Sequence, residues 1–345
     1  MSTIRIGLIG AGANTAARHI PGFRRIPGVE IVGVVNRTPE SSRRVADQFG
    51  IPRVFESPEA LCADPEIDAV CIGTWPYKHR DYTIMALEAG KHVLCEARMA
   101  MDLPEALEML AAAQRRPELV AQLVPAPFDF RLGPTITRLI AEGALGEVRE
   151  VTVRVLNGQG LDPHAPLHWR QRRDYSGRNV QMFGIYVEII ERWLGRHAGS
   201  VTADGAILIP ERRDPETGQM APVTVPDTYV VCGELARGAR ITYHLSTMAA
   251  GAEANGIAVH GTKAVLRWRP DDTAEVVTFG QPHGHPLEPD PGTDRGWRVE
   301  EDFIASIREG APVRLTNFED GVAYMRVVDA AHRSWEEGRR LPLGE

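Results

Sequence analysis

The sequence predicts a two-domain α/β protein whose amino-terminal part is a doubly wound parallel sheet. Three observations carry this reading. At 345 residues the chain is too long for one compact core and fits two domains. Short β-branched runs alternate with amphipathic stretches through residue 115, the pattern of strands crossing over through helices. The first of these runs ends in a glycine loop that opens a helix. Composition agrees with a globular protein, with 43% hydrophobic and 25% charged residues. A formal charge of −7 argues against nucleic acid or an anionic membrane as partner. The apolar runs are too short to span a bilayer. The opening MSTIRIGLIG enters a strand directly and is expected to carry no signal peptide. Cys62, Cys71, Cys95 and Cys232 are scattered without framework spacing, which suits reduced thiols in a cytoplasmic protein.

Taken in order, residues 4–9 form an apolar strand that runs into Gly10-Ala11-Gly12-Ala13-Asn14-Thr15, and a helix follows to about residue 25. Residues 29–35 make a second strand and 41–49 a second helix. Strands at 69–72 and 92–95 then alternate with helices at 80–89 and 104–115. Gly10 permits a tight turn. Gly12 lets backbone amides approach a pyrophosphate at a positive helix start, with Ala13, Asn14 and Thr15 completing the loop. A bare GxG is weak, but its place between a first strand and a helix makes this a Rossmann dinucleotide site. The second strand ends Val35-Asn36-Arg37-Thr38, with no acid to hold ribose hydroxyls. Arg37 can pair with a 2′-phosphate while Asn36 and Thr38 donate hydrogen bonds, or it can stack on adenine and leave NAD open. The charge favours NADP.

The stretch GTWPYKHRDYTIMALEAGKHVLCEARMA resembles the glucose–fructose oxidoreductase/inositol dehydrogenase/MocA family (Gfo/Idh/MocA). Thr74, Pro76, His79, Gly90-Lys91-His92-Val93 and Glu96 match its pattern. The resemblance continues through 143–146, Trp169-Arg170, Ser176-Gly177 and the stretches 303–310 and 317–321, so it covers essentially the whole chain. It implies a Rossmann domain over 1–123 and, over 124–345, a substrate and oligomerisation domain with a large, mostly antiparallel open sheet. Strand-like runs at 148–156, 206–209, 228–235, 240–246, 256–260 and 264–268, with a helix at 179–194, support such a domain independently. Two prolines in Val124-Pro125-Ala126-Pro127 mark the boundary. The resemblance also implies a homo-oligomer formed through that sheet, and a sugar, cyclitol or other polyhydroxylated substrate.

The site residues depart from the family. Ala97 stands at the position of its catalytic lysine and Arg98 at that of the following proline. Met182 and Tyr186 stand for an aspartate and a histidine four residues apart on one helix face. Of the three lysines, against thirty-six arginines, Lys78 is the one expected near the crevice; Lys91 and Lys263 read as surface charges. Candidates for proton transfer are Tyr186, with Arg98 supplying a cationic field, and His164 or His168 in a proline-rich loop. Trp169, Arg170, Asn179, Met182 and Lys78 are candidate substrate contacts. Thr74, Trp75, Pro76, His79 and Glu96 are candidate cofactor contacts. A metal held by Asp162, His164 and His168 is disfavoured, because no further ligand is evident. Glu188 and Arg192 read as a helix-face ion pair. The first functional reading is an NADP-dependent oxidoreductase with an altered proton relay. The alternatives are an enzyme with tightly bound nucleotide that eliminates, cleaves or epimerises through transient oxidation, and a nucleotide-binding protein whose catalytic residues have decayed.

Overall fold

The structure, a computed structural model, describes residues 3–251 and 255–344. Two compact units divide the chain. One runs to Pro125 and takes in Arg298–Val322; the other comprises Ala126–Trp297 and the chain from Ala323 on. The resemblance implies a second domain over all of 124–345, whereas residues 298–322 pack with the first unit. The cause is non-local pairing. Leu123 N–H donates to the Thr316 carbonyl at 3.0 Å, Gln122 bridges to Asn317, and Phe303 packs edge-on against Phe23.

In the first unit, six strands pair in parallel: β1 (Ile4–Ile9), β2 (Val29–Val35), β3 (Arg53–Val54), β4 (Ala69–Ile72), β5 (His92–Cys95) and β6 (Ala121–Leu123). Their order is β3-β2-β1-β4-β5-β6. The order reverses between β1 and β4, and in open α/β sheets a ligand crevice lies outside the strand ends at such a reversal. Every residue of β4 is buried and β1 is apolar nearly throughout, as strands with both faces covered require. Lys91, expected at the surface, is buried. Its ammonium donates to the carbonyls of Asp64 (2.8 Å) and Ile67 (2.7 Å), tying the entry of β4 to that of β5.

The second unit holds a nine-stranded sheet. Its strands are β7 (Val148–Leu156), β8 (His197–Ala206), β11 (Thr228–Leu235), β12 (Arg240–Ser246), β13 (Gly256–Gly261), β14 (Ala264–Trp268), β15 (Ala274–Thr278), β16 (His285–Pro286) and β17 (Leu341–Pro342). The order is β16-β15-β14-β13-β7-β12-β11-β8-β17, and only the β7–β12 pair is parallel. A separate hairpin joins β9 (Glu211–Arg213) to β10 (Met220–Pro222). The helix Phe183–Leu194 lies on one face of the sheet. There Phe183 meets Tyr229 and Tyr243 edge-on at 5.7 and 5.0 Å, and Trp193 meets Trp268 at 5.7 Å. This helix starts four residues later than predicted because Gln181 has φ +49°, outside the helical region. The predicted strand at 206–209 is displaced: β8 occupies 197–206, where two glycines and few β-branched residues hid it from pattern reading. Glu188 and Arg192 pair as expected, and Arg192 also holds the buried Asp129 at 2.6 Å. Among the described residues no helix is long and apolar enough to cross a membrane.

Candidate functional site

In the first unit, β1 hands over at Gly10 to a helical run over 13–24, in which Thr15–His19 is π-helical. Gly10 has φ +81°, and a Cβ there would stand 2.5 Å from Thr74 Cγ2, so conformation and space both require glycine. Gly12 differs. A Cβ on it would meet nothing nearer than the Gly73 carbonyl at 4.0 Å, and Gly12, Ala13 and Asn14 are exposed. The fold itself does not need glycine at 12. The open room above these helix-start amides fits a pyrophosphate. Thr15, in place of the third glycine of the motif, is buried and donates to the Gly10 carbonyl at 3.3 Å. The close approach comes instead from Gly73, where a Cβ would fall 2.1 Å from Thr15 Oγ1.

At the end of β2 the three predicted contacts separate. Asn36 is spent on the fold: its Oδ1 accepts from Ala11 N–H at 2.7 Å and its Nδ2 donates to the Ser41 carbonyl at 3.2 Å. Thr38 caps the helix Pro39–Phe49, its Oγ1 accepting from Ser41 N–H at 3.2 Å. Both therefore hold the glycine loop and helix rather than offering donors to a phosphate. Arg37 stays exposed beside the loop.

After β4, Pro76 is buried and Trp75 packs near Tyr77 at 6.5 Å. His79, expected at the cofactor, is wholly buried and bridges the carbonyls of Thr74 (2.9 Å) and Arg98 (2.8 Å). It clamps the loops that follow β4 and β5. Burial, outweighing those hydrogen bonds, holds its pKa below the usual value. Lys78 lies beside Asp81 at 3.9 Å and near the faces of Tyr77 and Tyr82, as a surface charge does.

Past β5, Ala97 presents only a methyl group and Arg98 is buried. Glu96 is the centre of this end of the sheet. Its Oε1 accepts from Asn14 Nδ2 and from His19 Nε2 at 3.0 Å, and its Oε2 from Ala97 N–H at 3.2 Å. Burial alone would raise the Glu96 pKa; the bonds and charge from His19, with Asn14, reverse that and hold it below the usual range. His19 Nδ1 faces Glu300 Oε1 at 2.5 Å. Neither His19 nor Glu300 was singled out from the sequence. They lie 281 residues apart, and no local pattern links them.

In the second unit a cavity of about 540 Å³ opens beside β7 and the loop 157–171. Amide side chains (Asn157, Gln159, Gln171, Gln181) and Thr247 share its wall with Val155, Met182 and Val225. Of the predicted residues, His168, Arg170 and Met182 line it. His168 Nδ1 accepts from Arg170 N–H at 3.2 Å, and Trp169 is flanked by the His168 ring and the Arg170 guanidinium. Asn179 is buried and donates to the Ser176 carbonyl at 2.7 Å, away from the cavity wall. His164 is exposed in a turn where its N–H donates to Asp162 Oδ1 at 2.8 Å. Sequence reading missed Arg212. It is 1% exposed, lines the cavity, and donates to the carbonyls of Gly160 (2.6 Å), Asp162 (2.7 Å) and Ala165 (3.2 Å). Among the described residues no three His, Cys, Asp or Glu side chains are grouped to hold a metal.

Tyr186 is 1% exposed and its ring stacks on Phe128 with centroids 5.9 Å apart. No hydrogen bond to its hydroxyl is found among the described residues, and that oxygen is not one of the sealed, unpartnered polar atoms. Burial pushes its pKa up to about 12.

The family described as "Oxidoreductase family, NAD-binding Rossmann fold" (GFO_IDH_MocA) matches residues 4–122, and "GFO/IDH/MocA C-terminal domain" matches residues 135–267. The chain belongs to the Gfo/Idh/MocA family. As a member it is an NAD(P)-dependent oxidoreductase. It is 27% identical to an inositol 2-dehydrogenase of Rhizobium meliloti, over 99% of each chain. It is 26% identical to a levoglucosan dehydrogenase of Pseudarthrobacter phenanthrenivorans, over 97% of this chain and 98% of that one. A solved levoglucosan dehydrogenase in complex with NADH and levoglucosan shares the fold, with a TM-score of 0.87, 22% identity and full coverage of both chains.

Proposed function

We propose that this family member prefers NADP and transfers hydride to or from an uncharged sugar or cyclitol, through a proton relay that does not use the family's lysine. The cavity wall carries the substrate reading. Four amides and a threonine offer neutral donors and acceptors for hydroxyls, while Val155, Met182 and Val225 suit an apolar ring face. Its buried charges are already engaged with the backbone: the terminal nitrogens of Arg212 donate to three carbonyls, and Asp227 accepts from the N–H groups of Leu208 and Ile209 at 2.9 and 3.1 Å. The inositol and levoglucosan names of the relatives support the same class.

NADP is favoured because β2 ends without an acid to hold ribose hydroxyls, and the Arg37 guanidinium is exposed at that strand end. Bound cofactor supplies the hydride acceptor or donor. The loop amides at Gly12–Asn14 would hold its pyrophosphate. Tyr186 carries the proton. With a pKa pushed up to about 12 it stays protonated at neutrality, so it donates to a developing alkoxide in the reducing direction. His168, which lines the cavity wall, is the second candidate for proton transfer. Self-association is assigned to the sheet face opposite the helix Phe183–Leu194, where Thr152, Val230, Cys232 and Thr242 alternate with the buried positions.

The test is titration of the purified protein with NADPH and NADH, followed by turnover on a panel of neutral sugars, cyclitols and sugar acids. Tighter NADPH binding with turnover confined to uncharged polyols is the expected result. Equal dinucleotide affinities remove the NADP preference, and a preference for sugar acids removes the substrate class.

A further inference from the structure

The cavity wall of the second unit has more polar side chains than acceptors left for a ligand. Backbone N–H groups take the side-chain acceptors first. Asn157 Oδ1 accepts from Gln159 N–H at 3.0 Å, and Gln171 Oε1 accepts from His168 N–H at 3.0 Å. His168 Nδ1 is likewise taken by Arg170 N–H at 3.2 Å. The amides of Asn157 and Gln171 keep their nitrogens, which only donate, and Arg170 and Arg212 have no acceptor at all. Such a wall has donors in excess. A polyol brings a further donor with every hydroxyl, and a hydroxyl proton enclosed without an acceptor is costly.

Asp227 is the only acidic side chain among the described residues that line the cavity. It is 2% exposed, and its backbone is tied down on both sides. Its N–H donates to the Ala206 carbonyl at 2.9 Å, and its carbonyl accepts from Thr247 N–H at 2.9 Å and Gln181 Nε2 at 2.8 Å. The two N–H groups of Leu208 and Ile209 both go to Oδ2 and hold the carboxylate in one orientation before any ligand arrives. Oδ1 accepts no hydrogen bond among the described residues, yet it is not one of the sealed, unpartnered atoms. Asp227 meets open space at the cavity wall, and Oδ1 is the acceptor it has left to offer there.

We propose that Asp227 is a substrate-binding residue that determines specificity, its Oδ1 accepting from a hydroxyl of the sugar or cyclitol. A charge-assisted bond of this kind is stronger than one to a neutral acceptor, so one hydroxyl of the substrate is read more strictly than the rest. The same charge disfavours a ligand that carries its own carboxylate beside it. The inference rests on the substrate class proposed above.

The experiment is calorimetric titration of the full chain, at saturating dinucleotide, with glucose, xylose and inositol. The neutral polyol bound best, its monodeoxy analogues and glucuronate are then titrated into the wild type and Asp227→Asn, with a thermal melt and dinucleotide affinity as controls. Asp227→Asn keeps an oxygen for Leu208 and Ile209 N–H and puts a donor at the open position. It should weaken the polyol by about ten-fold or more, with both controls unchanged. In the wild type one monodeoxy analogue should lose a similar factor, and in the variant that same analogue should lose little further. Glucuronate should gain on the polyol in the variant. Equal polyol affinity in the two proteins overturns the proposal while the substrate class stands. If the variant does not fold, the wild-type series decides alone: no single hydroxyl worth more than about two-fold overturns the proposal. A wild type that binds none of the neutral polyols overturns the substrate class itself, and the proposal with it.

Discussion

At the residue scale, what the sequence concealed is how each side chain is already spent. The type of Asn36, Thr38 and His79 suggested donors for a cofactor, and position in the motif supported it. In the structure each of the three holds the backbone of a loop instead, because a turn at a strand end has orphan N–H and C=O groups to satisfy before any ligand. Lys91 shows the same effect: a buried ammonium reads from sequence as an exposed one until its two carbonyl partners are known. Arg37 is exposed at the end of β2, and a charge-assisted phosphate contact contributes about 1.5–3 kcal/mol. Arg37→Ala should therefore weaken NADPH by that amount and leave NADH within a factor of about two. Equal losses in a titration with both dinucleotides would remove the 2′-phosphate contact. Tyr186 is the opposite case, a buried ring whose hydroxyl makes no hydrogen bond among the described residues. Tyr186→Phe keeps the volume and the stacking on Phe128, so folding and cofactor affinity should hold while turnover drops about 10²–10⁴-fold. Near wild-type turnover in that variant would make the tyrosine packing and pass the proton to His168.

At the element scale, the parallel sheet was legible because β1, β2, β4 and β5 are continuous apolar runs, each bounded by a glycine or polar turn. The second sheet was legible where strands alternate, as in β11, with Tyr229, Val231 and Leu235 inside and Val230 and Cys232 outside. The hairpin β9–β10 was not. Its strands are three residues long, Glu-Arg-Arg and Met-Ala-Pro, with no apolar period to read. Yet it carries Arg212, and Leu167 N–H also donates to the Arg213 carbonyl at 2.8 Å, so the hairpin fixes the loop that lines the cavity. Arg212→Met removes three charge-assisted bonds while retaining much of the packing. We expect a loss of about 1–3 kcal/mol in stability and a KM raised about ten-fold, with kcat changed less, because the cavity wall rather than the reacting group is loosened. Urea unfolding and steady-state kinetics on the same preparation check both. An unchanged KM would mean the loop holds its shape without the hairpin.

At the scale of the whole molecule, the order of chemistry along the chain was legible and the return of 298–322 to the first unit was not, since strand and helix patterns carry no address. That return brings Glu300 to His19, and it gives the first unit a stability that depends on pH. The His19 pKa is about 9 when folded and about 6.5 when unfolded. A raised folded value means that stability is fully present below pH 6.5 or so and is lost as the pH rises through about 9, a change on the order of 3 kcal/mol. The second unit has a buried histidine of the opposite sign. His332 is wholly buried, edge-on to Trp335 at 5.2 Å, and both its ring nitrogens are sealed without a hydrogen-bond partner among the described residues. Burial lowers its pKa; Glu336 at 3.6 Å pulls upward, while Arg173 and Arg178 add to the lowering. A depressed folded value means stability is present above pH of about 6.5 and is lost as the pH falls toward the folded pKa. The two units should therefore weaken at opposite ends of the scale. Urea midpoints measured at pH 5, 7 and 9.5 should be highest at 7 in the wild type. His19→Gln should flatten the alkaline limb and leave the acid limb intact, and His332→Gln should make the fall between pH 6.5 and 5 shallower without touching the alkaline side. A wild-type midpoint that is level from pH 7 to 9.5 would show that the bonds from Glu96 and Glu300 do not hold the His19 proton.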